Sequence, residues 1–271
     1  MTATATPLAR QRDTETLPGR LFPALVGATL LASLVFFAFP GIDTRVSGWF
    51  YVAGEGFPAA GSDLLNAIRN FGRDTTRLLG IGIVVLLLAT LLLPRRMPLP
   101  PRATVFLTLS LLLGPLVLVD FTMKEIWGRA RPRDILDFGG AFDFSRAWEF
   151  ASNCSGNCSF VSGEASASIW LVALAFVAPR RWRFPVGLAA FAFALVMSVN
   201  RIAFGGHFLS DVVLAWMLTL LVVVLVHMIV YAPAGPFAEA RLRRAAIRYG
   251  RPLRRRVLPL FGRGPGRSRD P

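Results

Sequence analysis

Lysine is all but absent from this chain. One residue, Lys124, is the only lysine among thirty basic side chains, and every other fixed positive charge is an arginine. The two are not interchangeable at a tight site, because lysine is a compact, mobile point charge and arginine a planar fork. Lys124 precedes Arg131-Pro132 by seven positions. A lysine and an arginine from one segment suit a small anion, phosphate above all. Charge of either sign is scarce, at 17% of residues against 54% hydrophobic, which excludes an ordinary soluble domain. Internal repeats at a solenoid period are missing. A small-x-small cleavage pattern is also missing after the first apolar block, where the chain reads Phe39-Pro-Gly-Ile, so that block is taken as an uncleaved helix.

Long apolar blocks fill the space that charge leaves. Six are visible, at about 21–40, 78–94, 104–121, 165–178, 186–200 and 211–231, and they predict an all-α, polytopic membrane protein, a bundle of six transmembrane helices. Two of the blocks are short and need flanking residues of mixed polarity to complete a span. The chain divides into a polar tail at 1–20, a membrane domain at 21–231 and a basic tail at 232–271.

The net charge of +14 is unevenly placed. Segments 1–20, 95–103, 179–185 and 232–271 together carry twenty arginines against four acids, whereas the intervening segments carry ten basic and twelve acidic residues. This is the positive-inside asymmetry, with both termini cytoplasmic. It accounts for the basic tail without nucleic acid. From Glu239 to Arg256 that tail places Leu242, Ala246 and Tyr249 between arginines, which reads either as a basic surface helix on the anionic inner leaflet or as a solvated tail. In the outer loop at 41–77, Leu64, Leu65, Ile68 and Phe71 recur at helical spacing. They predict a short helix lying in the interface plane or packed over the bundle.

With this topology the polar residues of interest gather on the outer side. Lys124 and Arg131 follow the third span. Ser159-Phe-Val-Ser162-Gly163-Glu164 opens the fourth. Asn200-Arg201-x5-His207-x3-Asp211 joins the fifth to the sixth. His207 and Asp211 are one helical turn apart, so the carboxylate can orient the imidazole and leave one ring nitrogen as a nucleophile. Ser162 and Gly163 immediately precede the fourth span, and backbone N–H groups at that helix start would point at a bound phosphate. Arg129 and Arg133 flank Arg131, and would meet a second phosphate or lipid headgroup, or pair with Asp134 or Asp137. His227 reads as a hydrogen-bonding residue of the bundle interior. The two cysteines, Cys154 and Cys158, lie in the outer loop ahead of Ser162 and have no metal-ligand partners in sequence. A disulfide is the reading taken, with free thiols the alternative.

The three segments resemble the signature motifs of the type 2 phosphatidic acid phosphatase (PAP2) superfamily: Lys-x6-Arg-Pro, Pro-Ser-Gly-His, and Ser-Arg-x5-His-x3-Asp. The resemblance covers roughly residues 105–215. It implies a phosphoric monoester hydrolase that needs no metal or other cofactor, acting on a lipid phosphate in a bacterial inner membrane. His207 would attack phosphorus, with Asp211 orienting it. Lys124, Arg131, Ser162, Gly163 and Arg201 would hold the phosphate oxygens. The run from Trp127 to Asp134 and the context around Cys158 look most like bacterial lipid A phosphatases. Phosphatidylglycerophosphate, phosphatidic acid and undecaprenyl pyrophosphate stay open as substrates.

Three positions depart from the pattern. Asn200 replaces a serine and Val161 a proline. Glu164 stands where the family places the histidine that protonates the leaving group, and nearby cations would keep it ionised. Three outcomes follow: substrate neutralises the cations and restores the proton, the leaving group needs little help, or activity is weak or lost. Transfer of the phosphoryl group to a lipid acceptor, and a catalytically silent lipid-phosphate-binding protein, are the rival functions.

Overall fold

The computed structural model describes residues 17–93, 99–233 and 235–257, and among these the chain is helical with no strands. The expected polar tail (through residue 16), the proline-rich turn at 94–98 and the last stretch of the basic tail lie outside the described residues. The elements are α1 (Leu17–Ala38), α2 (Gly41–Gly48), α3 (Asp63–Leu92), α4 (Pro101–Ile126), α5 (Gly163–Val177), α6 (Arg183–Ala203), α7 (Leu209–Val230) and α8 (Glu239–Val257).

Among the described residues five helices are long and apolar enough to cross a membrane: Pro18–Ala38, Asp63–Leu92, Pro101–Ile126, Arg180–Ala203 and Leu209–Val230. The short block expected at 186–200 is indeed extended by flanking residues. The other, expected at 165–178, gains almost nothing. α5 is interrupted by a 3-10 turn at Trp170–Val172, and at about 1.5 Å per residue it measures roughly 22 Å, against a hydrocarbon core of about 30 Å. Five full-length spans and one short apolar helix therefore stand where six spans were expected.

The outer loop also differs from expectation. Residues 63–71 form no separate helix; they are the first turns of α3. Ser62 caps it by accepting from the Leu65 N–H at 3.4 Å, and no proline interrupts the run to Leu92. A helix of 30 residues is about 45 Å long, so its first turns stand beyond the apolar core.

α7 is the centre of the bundle. It packs against α1, α4 and α5, while α5 packs against α6 and α3 against α4 and α8. Hydroxyl and indole groups link the helices: Ser166 Oγ to Thr219 Oγ1 at 2.7 Å, Trp170 Nε1 to Ser110 Oγ at 3.0 Å, and Trp216 Nε1 to Ser198 Oγ at 3.1 Å. Such bonds satisfy polar groups where water is absent. Leu30, Leu31 and Leu34 of α1 are exposed, as suits a face turned to lipid. In α4 the helix is π-wound from Leu112 to Met123 around Pro115, which has no N–H to donate. At the end opposite the three polar motifs, Arg102 donates to the carbonyls of Val230 and Ala232, and Arg254 of α8 to that of Leu91.

Candidate active site

The three sequence segments meet at one end of the bundle. α4 delivers Lys124 in its last turn, where Nζ lies 3.0 Å from Asp120 Oδ1 and 3.4 Å from Asn157 Oδ1. Gly163 begins α5 directly beside it. A Cβ at Gly163 would lie 2.5 Å from Nζ and 2.6 Å from Asp120 Oδ1, so only glycine lets the ammonium approach this helix end. Ser162 is fully buried and caps α5, its Oγ accepting from the Ala165 N–H at 3.3 Å. Arg131 donates to the carbonyls of Asn157, at 2.6 Å, and of Gly206, at 3.4 Å. Cys154 and Cys158 are paired in a disulfide with Cα atoms 5.7 Å apart. The bridge encloses Asn157, which both Lys124 and Arg131 contact.

α6 ends in Arg201, and a tight turn returns the chain to α7. The turn needs Gly205, whose φ is +60° and whose Cβ would lie 2.5 Å from the Phe57 ring. Gly206 follows, with the Arg201 guanidinium packed into the space a side chain would take. His207 comes next, 2% exposed. Its Nδ1 lies 2.8 Å from the Ser159 carbonyl, an acceptor only, so Nδ1 carries the proton and Nε2 the lone pair. Asp211 was expected to accept directly from the imidazole. Its Oδ2 instead stands 3.8 Å from Nδ1, too far for a hydrogen bond. The link runs through Ser159, whose hydroxyl donates to Asp211 Oδ2 at 2.6 Å while its carbonyl takes the imidazole. Burial, reinforced by the charges of Arg201 and Arg131 and opposed by Asp211, lowers the His207 pKa to about 4. The ring is therefore neutral at physiological pH.

Glu164 occupies the first turn of α5. One oxygen, Oε1, receives Arg69 Nη2 at 3.0 Å and Nε at 3.3 Å, and faces Arg201 Nε at 3.5 Å. The other, Oε2, is buried without a partner among the described residues. Two guanidiniums on one oxygen favour the carboxylate.

Four participants carried no sequence signal of their own. Arg69 reaches Glu164 from α3, ninety-five positions away, and Ser159 was noted only as part of a motif. Arg129 is neither a headgroup contact nor a partner of Asp134 or Asp137. It is fully buried and donates to Asp211 Oδ1 at 2.6 Å, Asp43 Oδ2 at 2.8 Å, Ser210 Oγ at 2.8 Å and the Ser145 carbonyl at 2.9 Å. Asp43, from α2, is equally buried. Arg133 does pair with Asp134, at 3.7 Å on the surface. His227 departs from its expected role: its Nδ1 is buried without a partner among the described residues, and the ring packs among Phe106, Phe176 and Tyr231.

The arrangement offers a neutral imidazole with a free lone pair, four cations within one cluster, a helix start, and a carboxylate held between two guanidiniums. Among the described residues no group of three or more His, Cys, Asp or Glu side chains is placed to hold a metal ion. These are the parts for in-line attack on a phosphate.

Comparison with known proteins points the same way. A family model described as the PAP2 superfamily matches residues 103–233. A lipid A 4'-phosphatase of Rhizobium leguminosarum is 44% identical over 113 residues, 42% of this chain and 48% of that protein. Another, of Francisella tularensis subsp. novicida, is 32% identical over 184 residues, 67% of this chain and 83% of that protein. The match thus spans about half the length of the Rhizobium relative and most of the Francisella one. Among solved structures, a transmembrane PAP2 type phosphatidylglycerolphosphate phosphatase from Bacillus subtilis is similar at a TM-score of 0.48 and 20% identity, over 75% of this chain and 92% of that one.

Proposed function

The chain belongs to the PAP2 superfamily, and from that premise we propose that it is a membrane lipid phosphatase that removes a phosphoryl group from a lipid such as lipid A through a phosphohistidine on His207. The observation that carries the reading is the neutral His207 imidazole, its Nδ1 engaged by Ser159, beside a ring of cations. Nε2 attacks phosphorus. Lys124, Arg131 and Arg201, with the N–H groups at the start of α5, take the equatorial oxygens, where charge builds in the transition state. The lipid alkoxide leaves with a proton from Glu164, and water then hydrolyses the phosphohistidine. Asp211 supplies negative charge behind the imidazole as it becomes cationic.

Glu164 suits the acid role through its two unlike oxygens. As phosphate enters, Arg201 turns its charge to it while Arg69 stays on Oε1, and the carboxyl can take a proton on Oε2, the oxygen without a partner among the described residues. A lipid substrate is supported by an apolar groove of about 510 Å³ between α3 and α6, lined by Leu65, Ile68, Leu195, Val196 and Val199. It adjoins Asn200, next in sequence to Arg201, so an acyl chain in the groove keeps its phosphate near the cations. In this reading the site faces the outer side of a bacterial inner membrane, both termini are cytoplasmic, and the basic α8 lies on the anionic inner leaflet.

The test is phosphate release by purified protein from a panel of lipid phosphates, lipid A and phosphatidylglycerophosphate included. Wild type should release phosphate from at least one, and His207→Ala from none. Equal inactivity of both on the whole panel would overturn the enzyme reading. Transfer to an added lipid acceptor in place of phosphate release would mark a phosphotransferase.

A further inference from the structure

We propose that Arg129 and Asp43 are positioning residues for the reaction: a buried carboxylate–guanidinium–carboxylate chain, running Asp43–Arg129–Asp211, that sets the orientation and effective charge of Asp211 and, through it, the basicity of His207. This rests on the phosphohistidine reading for its catalytic consequence, but the charge chain itself is geometric.

Each link is short and dry. Arg129 Nη2 donates to Asp43 Oδ2 at 2.8 Å and Nη1 to Asp211 Oδ1 at 2.6 Å, and all three side chains are at most 1% exposed. The guanidinium packs against two rings in edge contact with each other, 4.3 Å from the Phe208 centroid and 5.5 Å from that of Phe144. Asp43 also takes the Ser210 N–H at 2.8 Å and its hydroxyl at 2.5 Å, so the same carboxylate grips the start of α7. Burial and the Asp211 charge push the Asp43 carboxyl up, and Arg129 opposes them. Three donors converge on Asp43, which is the environment of an ionised carboxylate. Arg129 keeps its charge because Asp211 and Asp43 outweigh the cost of burial.

The chain therefore reads minus, plus, minus. With Arg129 shared between two carboxylates, Asp211 keeps part of its negative charge uncompensated. That residue of charge acts on the imidazole, directly across 3.8 Å and through Ser159. Among the described residues the side-chain hydrogen bonds and ion pairs of Arg129 and Asp43 go to each other, Asp211, Ser210 and the Ser145 carbonyl, and none goes to Lys124, Arg131 or Glu164, so their direct electrostatic path to the phosphate site runs through Asp211 and His207. The other charges facing His207 are Arg201 from α6, Arg131 from the loop after α4, and Glu164 from α5 with Arg69 of α3 behind it. None of them belongs to the chain, so the substitutions below leave them in place.

The sign of the effect separates this role from mere structural support. Asp43→Asn is isosteric, removes one negative charge, and leaves Arg129 wholly on Asp211, so His207 should protonate at lower pH than in wild type. Arg129→Gln removes the positive charge, so His207 should protonate at higher pH. The chain holds two histidines, and ¹⁵N-histidine NMR of the full-length protein in detergent micelles resolves both, His207→Ala assigning the pair. His227, remote from the network, serves as the internal standard for folding. Opposite displacements of the His207 titration support the proposal; displacements in one direction, or none, overturn it. Should Arg129→Gln fail to fold, Asp43→Asn decides alone: a move to lower pH supports the chain, and no move refutes it. Turnover of a lipid phosphate gives the second measurement. Loss of one charged hydrogen bond predicts a fall in kcat of roughly ten- to a hundredfold, with KM within about twofold because no phosphate contact is lost. A rise in KM with kcat intact would overturn the positioning role. A wild-type protein inactive on every lipid phosphate sinks the proposed function and leaves the NMR result to judge the charge chain.

Discussion

Replacing Arg69 by glutamine should increase turnover under alkaline conditions, although it deletes a cation from a phosphate site. Arg69 makes two donations to Glu164 Oε1, at 3.0 and 3.3 Å, and the two side chains are 28% and 22% exposed. A hydrogen bond to a charged group is worth about 1.5–3 kcal/mol when buried, and an exposed ion pair about 0.2–1 kcal/mol. A pair one-quarter exposed falls between, at about 1 kcal/mol. The pair favours the carboxylate, and the general acid must be protonated. Removing Arg69 therefore moves the alkaline limb of kcat to higher pH, with a gain of about fivefold above the limb, the equivalent of that energy. The assay is kcat against pH on an alkyl phosphate lipid and on an aryl phosphate, whose leaving group needs no proton. The gain should be confined to the alkyl substrate. An equal gain on both, or a fall in kcat on the alkyl substrate, would refute the assignment of Glu164 as the acid.

Other positions give separate checks. Because burial lowers the His207 pKa to about 4, kcat/KM should show no loss centred near 6.5 as pH falls and should drop only near 4; a drop centred near 6.5 would mean an unshifted imidazole. Gly163→Ala places a methyl group against Lys124 Nζ and Asp120, and KM should rise about tenfold, the effect of roughly 1.4 kcal/mol, with the thermal transition little changed. Gly205→Ala forces a side chain into a left-handed turn and onto the Phe57 ring, which should cost at least about 1–2 kcal/mol of stability, read as lower thermal stability in detergent. Reducing the Cys154–Cys158 bridge frees Asn157 from its loop, so KM should rise severalfold while kcat is held; unaltered kinetics would show that the loop does not brace Lys124 and Arg131.

The multi-pass membrane character was legible in the sequence because long apolar blocks are a local signal. α5 was read as a fuller span because hydropathy records composition, whereas its length is set by the cap at Ser162 and by extended backbone at Ala178 ahead of Pro179. The motif residues Lys124, Arg131, Glu164, Arg201 and His207 were legible because spacing carries them. Asp43, Arg69 and Arg129 were not: their ion-pair partners lie eighty or more positions away, and burial alone turns an arginine in a polar loop into an interior charge. The nearest available signal was Arg129 itself, in a run of three arginines alternating with other residues, where one of the three had no obvious acid to meet. The Asp211–His207 geometry was half legible. Helical spacing placed the two on one face, but the Ser159 carbonyl, forty-eight positions away, took the proton that spacing assigned to Asp211.

The elbow after α1 has a consequence for the way the protein is made. Asp43 leaves the ribosome with the first span, Arg129 follows after α4, and Ser210 and Asp211 arrive only with α7, the last of the spans. Until α7 enters the membrane, a carboxylate and a guanidinium destined for the driest part of the molecule have no complete set of partners, and each must stay at the water-facing boundary. When α7 docks between α1 and α5, it closes the bundle and supplies the missing carboxylate in one movement. A chain halted before that step carries Asp43 and Arg129 but lacks the carboxylate of Asp211 that completes their chain. Synthesis order thus leaves the buried charges to be paired last, by the same helix that shields them from water.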